Sequence, residues 1–253
     1  MPKTVFITGA TSGFGEATAQ KFGSEGYNLI LNGRRKDRLE QLANNLSIQY
    51  NAKSQLLPFD VRDQQAVFAA VEALPSEWKD IDVLVNNAGL ALGRDFFDEA
   101  SLQDWNTMID TNVKGLLYVS KAVVPLFIQN KKGHIINIGS IAGKEVYERG
   151  NVYCASKHAV DAITKAMRID LLQHRIRVTA IHPGAAETEF SLVRFKGNAE
   201  AAQKVYDGYQ PLLAEDVAEI VYYAASLPPH VCINDLVVSC TQQANSYHLS
   251  RDL

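Results

Sequence analysis

The chain is poor in the residues that build disulfide scaffolds and metal centres. Cysteine occurs three times in 253 residues, at Cys154, Cys232 and Cys240. So few, odd in number and widely spaced, they form neither a disulfide framework nor a thiolate cluster, and they suit a reducing compartment. The six histidines are scattered, with no His-x-x-x-His pair, so no metal site is expected. No apolar run approaches the roughly 20 residues of a membrane span, and MPKTVFITGA is too short in apolar length for a secretory leader. The net charge of −3 gives no electrostatic reason to expect a nucleic-acid partner. No Pro/Gly/Ser-rich linker or short repeat divides residues 1–253, so one domain is the economical reading. A cytoplasmic protein is expected.

What is present is a rhythm. The runs TVFITG, NLILNG, SQLLPFDV, DVLVNNAG, HIINIGS, RVTAIHPG and DLVVSC are mostly continuous rather than alternating. Continuous apolar strands are those covered on both faces. Helical patterns fall between them, over 15–24, 36–49, 64–74, 102–130, 152–173 and 214–226. Strand–helix alternation of this kind predicts an α/β fold, a doubly wound parallel sheet of about seven strands flanked by helices. One connection breaks the rhythm. After RVTAIHPG, residues 185–213 form a stretch much longer than an ordinary strand-to-helix link. Long connections in compact domains are usually lids or binding loops, and this one leaves a strand's carboxyl end, where open α/β sheets bind ligands.

The first strand runs into Thr8-Gly9-Ala10-Thr11-Ser12-Gly13-Phe14-Gly15 and then a helix. Glycines allow a tight turn and close backbone approach, and a helix N-terminus offers free N–H groups to a phosphate. The spacing is G-x-x-x-G-x-G rather than G-x-G-x-x-G. The second strand ends in Asn32, Gly33, Arg34 and Arg35, with no carboxylate until Asp37. An acidic residue there would bind the ribose of NAD, whereas arginine accommodates a 2′-phosphate. Two cations at a helix start oppose its macrodipole, so an anionic partner explains them better than solvent does, and NADP is expected over NAD.

In GNVYCASKHAV, Tyr153 and Lys157 stand four residues apart and share a helix face. Taken alone they read as a half-buried phenol beside a snorkelling lysine, or as an acid–base couple. With TGATSGFG at the start, NNAG at 86–89, Ser140 in NIGSIAG, Tyr153-x-x-x-Lys157 and HPG at 182–184, the chain resembles the short-chain dehydrogenase/reductases over nearly its whole length. The segments NNAGLALG, MIDTNVKGL, NIGSIAG and TEFSLVRFKG are most similar to the NADP-dependent 3-hydroxy acid (serine or allo-threonine) dehydrogenases within that family.

The resemblance implies a Rossmann-type sheet, a homotetramer and a set of site residues. Tyr153 would be the acid/base, with Lys157 lowering its pKa and binding the cofactor ribose. Ser140 would hold the substrate oxygen, and Asn112 would support a water-linked proton path to the lysine. By themselves Ser140 reads as a cap and Asn112 as a structural helix residue. Gly9, Thr11, Ser12, Gly13, Phe14 and Gly15 would cradle the NADP pyrophosphate, and Arg34 and Arg35 the 2′-phosphate. Asp60 and Val61 would meet the adenine; Asn87, Ala88, Gly89, Pro183, Gly184 and Thr188 would line the rest. One departure is Ala185-Ala186, where the family has a branched apolar residue; smaller side chains there are expected to loosen the loop or widen the pocket. A 3-hydroxy acid also needs a cation for its carboxylate. Arg194 is the candidate clamp, or else a surface residue of the lid, while Glu145 and Arg149 are expected near the pocket mouth. Cys154, facing away from Tyr153 and Lys157, is expected to fill space. The expected activity is hydride transfer between NADP and a small 3-hydroxy acid or its semialdehyde. The alternatives are reduction of another small carbonyl such as sulfoacetaldehyde, or a non-catalytic dinucleotide sensor.

Overall fold

The computed structural model describes residues 2–252. β1 (Thr4–Ile7), β2 (Asn28–Asn32), β3 (Ser54–Leu57), β4 (Val83–Asn86), β5 (His134–Ile138), β6 (Arg177–Pro183) and β7 (Asp235–Val238) form one parallel sheet. Its order is β3-β2-β1-β4-β5-β6-β7. Between them run α1 (Gly13–Ser24), α2 (Lys36–Tyr50), α3 (Gln64–Glu72), α4 (Leu102–Ile109), α5 (Leu116–Asn130), α6 (Asn151–Asp170), α7 (Glu189–Arg194), α8 (Ala199–Lys204) and α9 (Ala214–Ser226).

Successive strand residues point to opposite faces, and both faces are covered except at the β7 edge, where Asp235 and Val237 are exposed. Val5, Ile7, Leu29 and Leu31 pack with Phe22 of α1, Leu39 of α2 and Val217 and Val221 of α9. Phe6, Ile30, Leu84 and Ile135 face the other way, onto Val67 of α3 and Val119, Val123 and Phe127 of α5. This two-sided burial explains why the strands read as unbroken apolar runs. Each fully buried Phe or Ile contributes on the order of 1.5–3 kcal/mol. Among the described residues, no helix is long and apolar enough to cross a membrane.

Several boundaries differ from the sequence expectation. α1 starts at Gly13 rather than Gly15, and α6 ends at Asp170, followed by a short 3₁₀ turn over Leu172–His174. The expected helix over 102–130 is interrupted by a widened π-type turn, Asp110–Gly115. The flanking residues keep helical dihedrals, Ile109 at φ −65° and Leu116 at φ −59°, so apolar periodicity barely registers the break. The extra residue turns Asn112 inward. Its Nδ2 donates to Leu90 O at 2.8 Å and to Ser156 Oγ at 3.0 Å, and its Oδ1 accepts from Leu90 N at 2.8 Å. Such π turns often occur at functional sites.

Candidate functional site

The strand order reverses between β1 and β4, and a cleft opens at the carboxyl ends of those strands, where doubly wound sheets hold ligands. Its floor is the loop from Thr8 into α1. Gly13 has φ +53°, and a Cβ on Gly15 would lie 2.2 Å from the Gly9 carbonyl oxygen, so only glycine lets the loop fold this closely. Ser12 caps α1 without a side-chain hydrogen bond, which leaves the first N–H groups of the helix facing the cleft. Asn87 braces this floor: its Nδ2 donates to Thr8 O at 2.9 Å and Gly9 O at 3.1 Å. The Thr8 hydroxyl accepts from the N–H groups of Asn87 and Ala88. Thr11, Phe14, Asp60, Val61, Ala88, Gly89 and Thr188 complete the lining. Thr111 also lines it, with a buried Oγ1 that has no partner among the described residues. A glycine cradle, an open helix end and an orphaned hydroxyl fit a dinucleotide.

Arg34 and Arg35 both reach this cleft but differ in placement. Arg35 is tied down: one guanidinium nitrogen donates to Thr11 O, Thr11 Oγ1 and Ser12 Oγ at 3.1–3.3 Å. Arg34 is mostly exposed, 3.9 Å from Asp60, whose carboxylate is gripped by Arg62 at 2.6–3.0 Å. Asn32, where an acidic ribose ligand would stand, turns away and donates to the Leu57 and Phe59 carbonyls. Two residues here escaped the sequence reading. Glu189 of α7 pairs with Arg35 at 3.4 Å and with Arg38 at 2.8 Å. Replacing Arg34 and Arg35 together by alanine is expected to weaken NADP⁺ binding by at least roughly 100-fold, by loss of two charge-assisted contacts of ~1.5–3 kcal/mol each. NAD⁺ binding should change by a few-fold only, from the loosened Thr11–Ser12 anchor. Titration calorimetry with both nucleotides checks this, and equal losses for the two would remove the 2′-phosphate argument.

Tyr153 and Lys157 lie one turn apart on α6 and both face the cleft. Tyr153 is buried, and that burial raises its pKa. The neighbouring Tyr147 adds to the rise, while Ser140 and Arg194 pull the other way. Lys157 donates to the Ile138 carbonyl at 2.9 Å, and burial lowers its pKa to about 8. A Cβ on Gly89 would lie 3.3 Å from Asn112 Oδ1 and 3.6 Å from Lys157 Nζ, so both groups converge on the same glycine. Ser140 follows β5 in extended backbone, and its Oγ accepts from Ala142 N at 3.1 Å. That bond occupies a lone pair and leaves the hydroxyl proton to donate elsewhere. Cys154 points into a small core cluster with Met108 and Ala142.

A second pocket adjoins Tyr153 and Ser140. Pro183, Gly184, Ala185 and Ala186 form one wall and α7 another. The Ala185-Ala186 loop is pinned rather than loose. Ala185 N donates to Gln243 Oε1 at 2.8 Å, Leu212 N to Ala185 O at 3.0 Å, and Tyr206 OH to Ala186 O at 2.8 Å. The C-terminal segment packs closely on the same loop: a Cβ on Gly184 would lie 2.2 Å from Gln243 Oε1. Thr188 caps α7 by accepting from Phe190 N at 3.2 Å, and the Phe190 ring lies 5.7 Å from the Tyr153 ring.

Arg194 ends α7 and lines this pocket. Its Nε donates to Gly93 O at 3.3 Å and one Nη to Tyr147 OH at 3.1 Å, with the guanidinium 5.5 Å from the Tyr153 ring centre. The other Nη is buried with no partner among the described residues. Arg149, expected near the pocket mouth, instead stacks on Phe96 at 4.0 Å outside the pocket. Its φ of +61° turns the chain there and aims the side chain away. Glu145 acts one step back, accepting from Ser246 N at 2.8 Å. Arg94, Tyr147, Gln243 and Ser246 line the pocket and escaped the sequence reading. Gln243 and Ser246 come from a C-terminal segment with no motif of its own.

Known proteins share this fold. The short chain dehydrogenase family profile matches residues 3–198. A sulfoacetaldehyde reductase 2 from Chromohalobacter salexigens is 46% identical over 254 residues, covering 100% of both chains. An NADP-dependent 3-hydroxy acid dehydrogenase from Salmonella typhi is 48% identical over 231 residues, 91% of this chain and 92% of that one. The closed form of a serine dehydrogenase complexed with NADP⁺ superposes with a TM-score of 0.91 at 45% identity, over 96% of this chain and 97% of that one. The seven-stranded sheet, the glycine cradle and the Ser140–Tyr153–Lys157 grouping therefore have one explanation: the chain belongs to the short chain dehydrogenase family.

Proposed function

We propose that this chain is an NADP-dependent oxidoreductase of small 3-hydroxy acids, of the serine, allo-threonine or 3-hydroxypropionate type, and of the matching semialdehydes in reverse. The observation that carries the substrate class is the buried, unpartnered Nη of Arg194, one wall away from Tyr153. A buried guanidinium donor without a partner is costly, and a carboxylate oxygen satisfies it with a charge-assisted hydrogen bond. Bound NADP supplies the hydride acceptor, or the donor in reverse. The protein's own part is proton handling and placement. Ser140 donates to the substrate oxygen and holds it toward Tyr153. Tyr153 takes the hydroxyl proton during oxidation and returns it during reduction. Lys157, facing Gly89 beside Asn112, supplies the positive charge that favours the deprotonated phenol and binds the ribose, with Asn112 supporting a proton path to solvent. Residues 185–213 serve as the lid, and the remaining cleft residues hold the nucleotide. We also read the working form as a cytoplasmic homotetramer in which residues 1–253 make a single domain.

The full-length likeness to a protein named a sulfoacetaldehyde reductase supports a second reading. Arg94, which lines the same pocket, would give a three-oxygen sulfonate an additional donor. A non-catalytic sensor would have no use for Ser140, Tyr153 and Lys157 together. The test is a comparison of kcat/KM with NADP⁺ for 3-hydroxypropionate, isethionate and the neutral 1,3-propanediol. The proposal expects the carboxylate to exceed the diol roughly 100-fold, the worth of one charge-assisted hydrogen bond to a buried guanidinium. Isethionate leading the series would select the second reading, and no reduction with any of the three would leave the sensor.

A further inference from the structure

β6 carries a fully buried histidine, His182, beneath the candidate active site. Its ring packs against the residue before Ser140: a Cβ on Gly139 would lie 2.4 Å from His182 Nδ1. Nδ1 is 3.2 Å from the Ser140 carbonyl oxygen, which also accepts from Gly143 N at 2.8 Å. On the ring's far edge, Nε2 lies 2.9 Å from Asp235 Oδ1 on β7 and 3.6 Å from Asp161 Oδ1 on α6. It completes no hydrogen bond there among the described residues.

The charges around the ring decide where its proton is. Lys144 reaches Asp161 at 2.8 Å and Asp235 at 2.5 Å, and Lys165 takes the other oxygen of Asp161 at 2.6 Å. Two ammonium groups thus balance two carboxylates, and Lys144 fills the place a metal ion would take between them. Burial, and then the Lys144 ammonium, push the imidazole below its ordinary pKa against the opposing pull of Asp235 and Asp161. The ring is neutral near pH 7 and carries one proton. Since Nε2 is out of line for a hydrogen bond, that proton belongs on Nδ1, donated to Ser140.

We infer that His182 is a positioning residue: its Nδ1–H anchors the Ser140 carbonyl to β6 and so aims the Ser140 hydroxyl into the pocket. The chain turns sharply here, from β5 through Gly139 and extended Ser140 into a 3₁₀ turn at Ile141–Gly143. Gly143 N holds the carbonyl from the turn side, and His182 holds it from the sheet side. Without the second bond the peptide can rotate and the hydroxyl loses its direction. This inference rests on Ser140 acting on the substrate oxygen as proposed above.

Two substitutions separate the ring's two edges. The amide nitrogen of asparagine falls where His Nδ1 does, and that of glutamine where Nε2 does. His182→Asn therefore keeps the Ser140 contact, and His182→Gln reaches Asp235 instead. Losing one hydrogen bond of ~1 kcal/mol predicts a kcat roughly fivefold lower in His182→Gln, with His182→Asn within about twofold of wild type. KM for the hydroxy acid and NADPH affinity should stay within about twofold in both, and thermal midpoints should fall alike. Similar kcat values for the two variants, or the greater loss in His182→Asn, would overturn the inference. Ser140→Ala, measured alongside, keeps the two readings apart: unimpaired turnover in that variant removes the role of Ser140 itself, whatever the His182 pair does.

Discussion

Tyr153→Phe is expected to lower turnover by about 10³-fold while leaving NADPH affinity within a few-fold of wild type. The substitution removes one oxygen from a buried ring that packs against Phe190, so the core cluster around it stays filled. What disappears is the group proposed to exchange a proton with the substrate hydroxyl. Burial raises the phenol's pKa and places it above its ordinary value, with Ser140 and Arg194 opposing the rise. The sign for activity follows from the form required. Oxidation needs the phenol deprotonated, so its rate should climb as pH rises; reduction needs the proton and should decline over the same range. Lys157, at about 8, loses its charge within that climb, which should flatten the upper end. Stopped-flow hydride transfer and equilibrium NADPH binding on the same preparation check both parts. Turnover retained in Tyr153→Phe would remove the acid/base assignment.

Arg194→Met should raise KM for a 3-hydroxy acid roughly 100-fold and leave KM for a neutral diol of the same length nearly unchanged. Methionine keeps most of the apolar volume and discards the charge. A charge-assisted hydrogen bond from a buried guanidinium to a carboxylate is worth up to ~3 kcal/mol, which sets the size of the effect. A structural role predicts otherwise. Arg194 also ties α7 to Gly93 and Tyr147, so if those bonds were its whole function, loosening the lid would penalise acid and diol alike. The ratio of the two KM values isolates the clamp, because lid loosening cancels from it.

The sheet was readable because strands buried on both faces leave continuous apolar runs, which align with β1 to β6, while the edge strand β7 kept an apolar run with one face exposed. The π turn at Asp110–Gly115 was not readable, since a single inserted residue keeps helical dihedrals and disturbs the apolar spacing little. At the site, residues within compact motifs were legible: the glycine loop, Tyr153 with Lys157, and Ser140. Those reaching the site by long-range folding were not. Gln243 and Ser246 arrive from the C-terminal segment, held by Ala185 and Glu145, and no local pattern announces either contact. Arg34 and Arg35 were visible as a pair, but only the fold shows that one is anchored to the phosphate loop and the other exposed. Arg149 shows the same limit: nearness to Tyr153 in sequence suggested the pocket, and a left-handed backbone sent it to Phe96. The looseness expected from Ala185-Ala186 failed because the bracing comes from Leu212, Tyr206 and Gln243, all distant in sequence.

Hydride is expected to pass directly from the carbinol carbon of a 3-hydroxy acid to NADP⁺ in this cleft. This transfer is tested by incubating the purified protein with NADP⁺ and 3-hydroxypropionate carrying deuterium at its hydroxyl-bearing carbon, then measuring the mass of the recovered NADPH. Reduced cofactor bearing one deuterium per molecule is expected, formed with NADP⁺ far faster than with NAD⁺. Reduced cofactor without deuterium, or no reduction of NADP⁺ by this substrate or the serine and allo-threonine analogues, would contradict direct transfer.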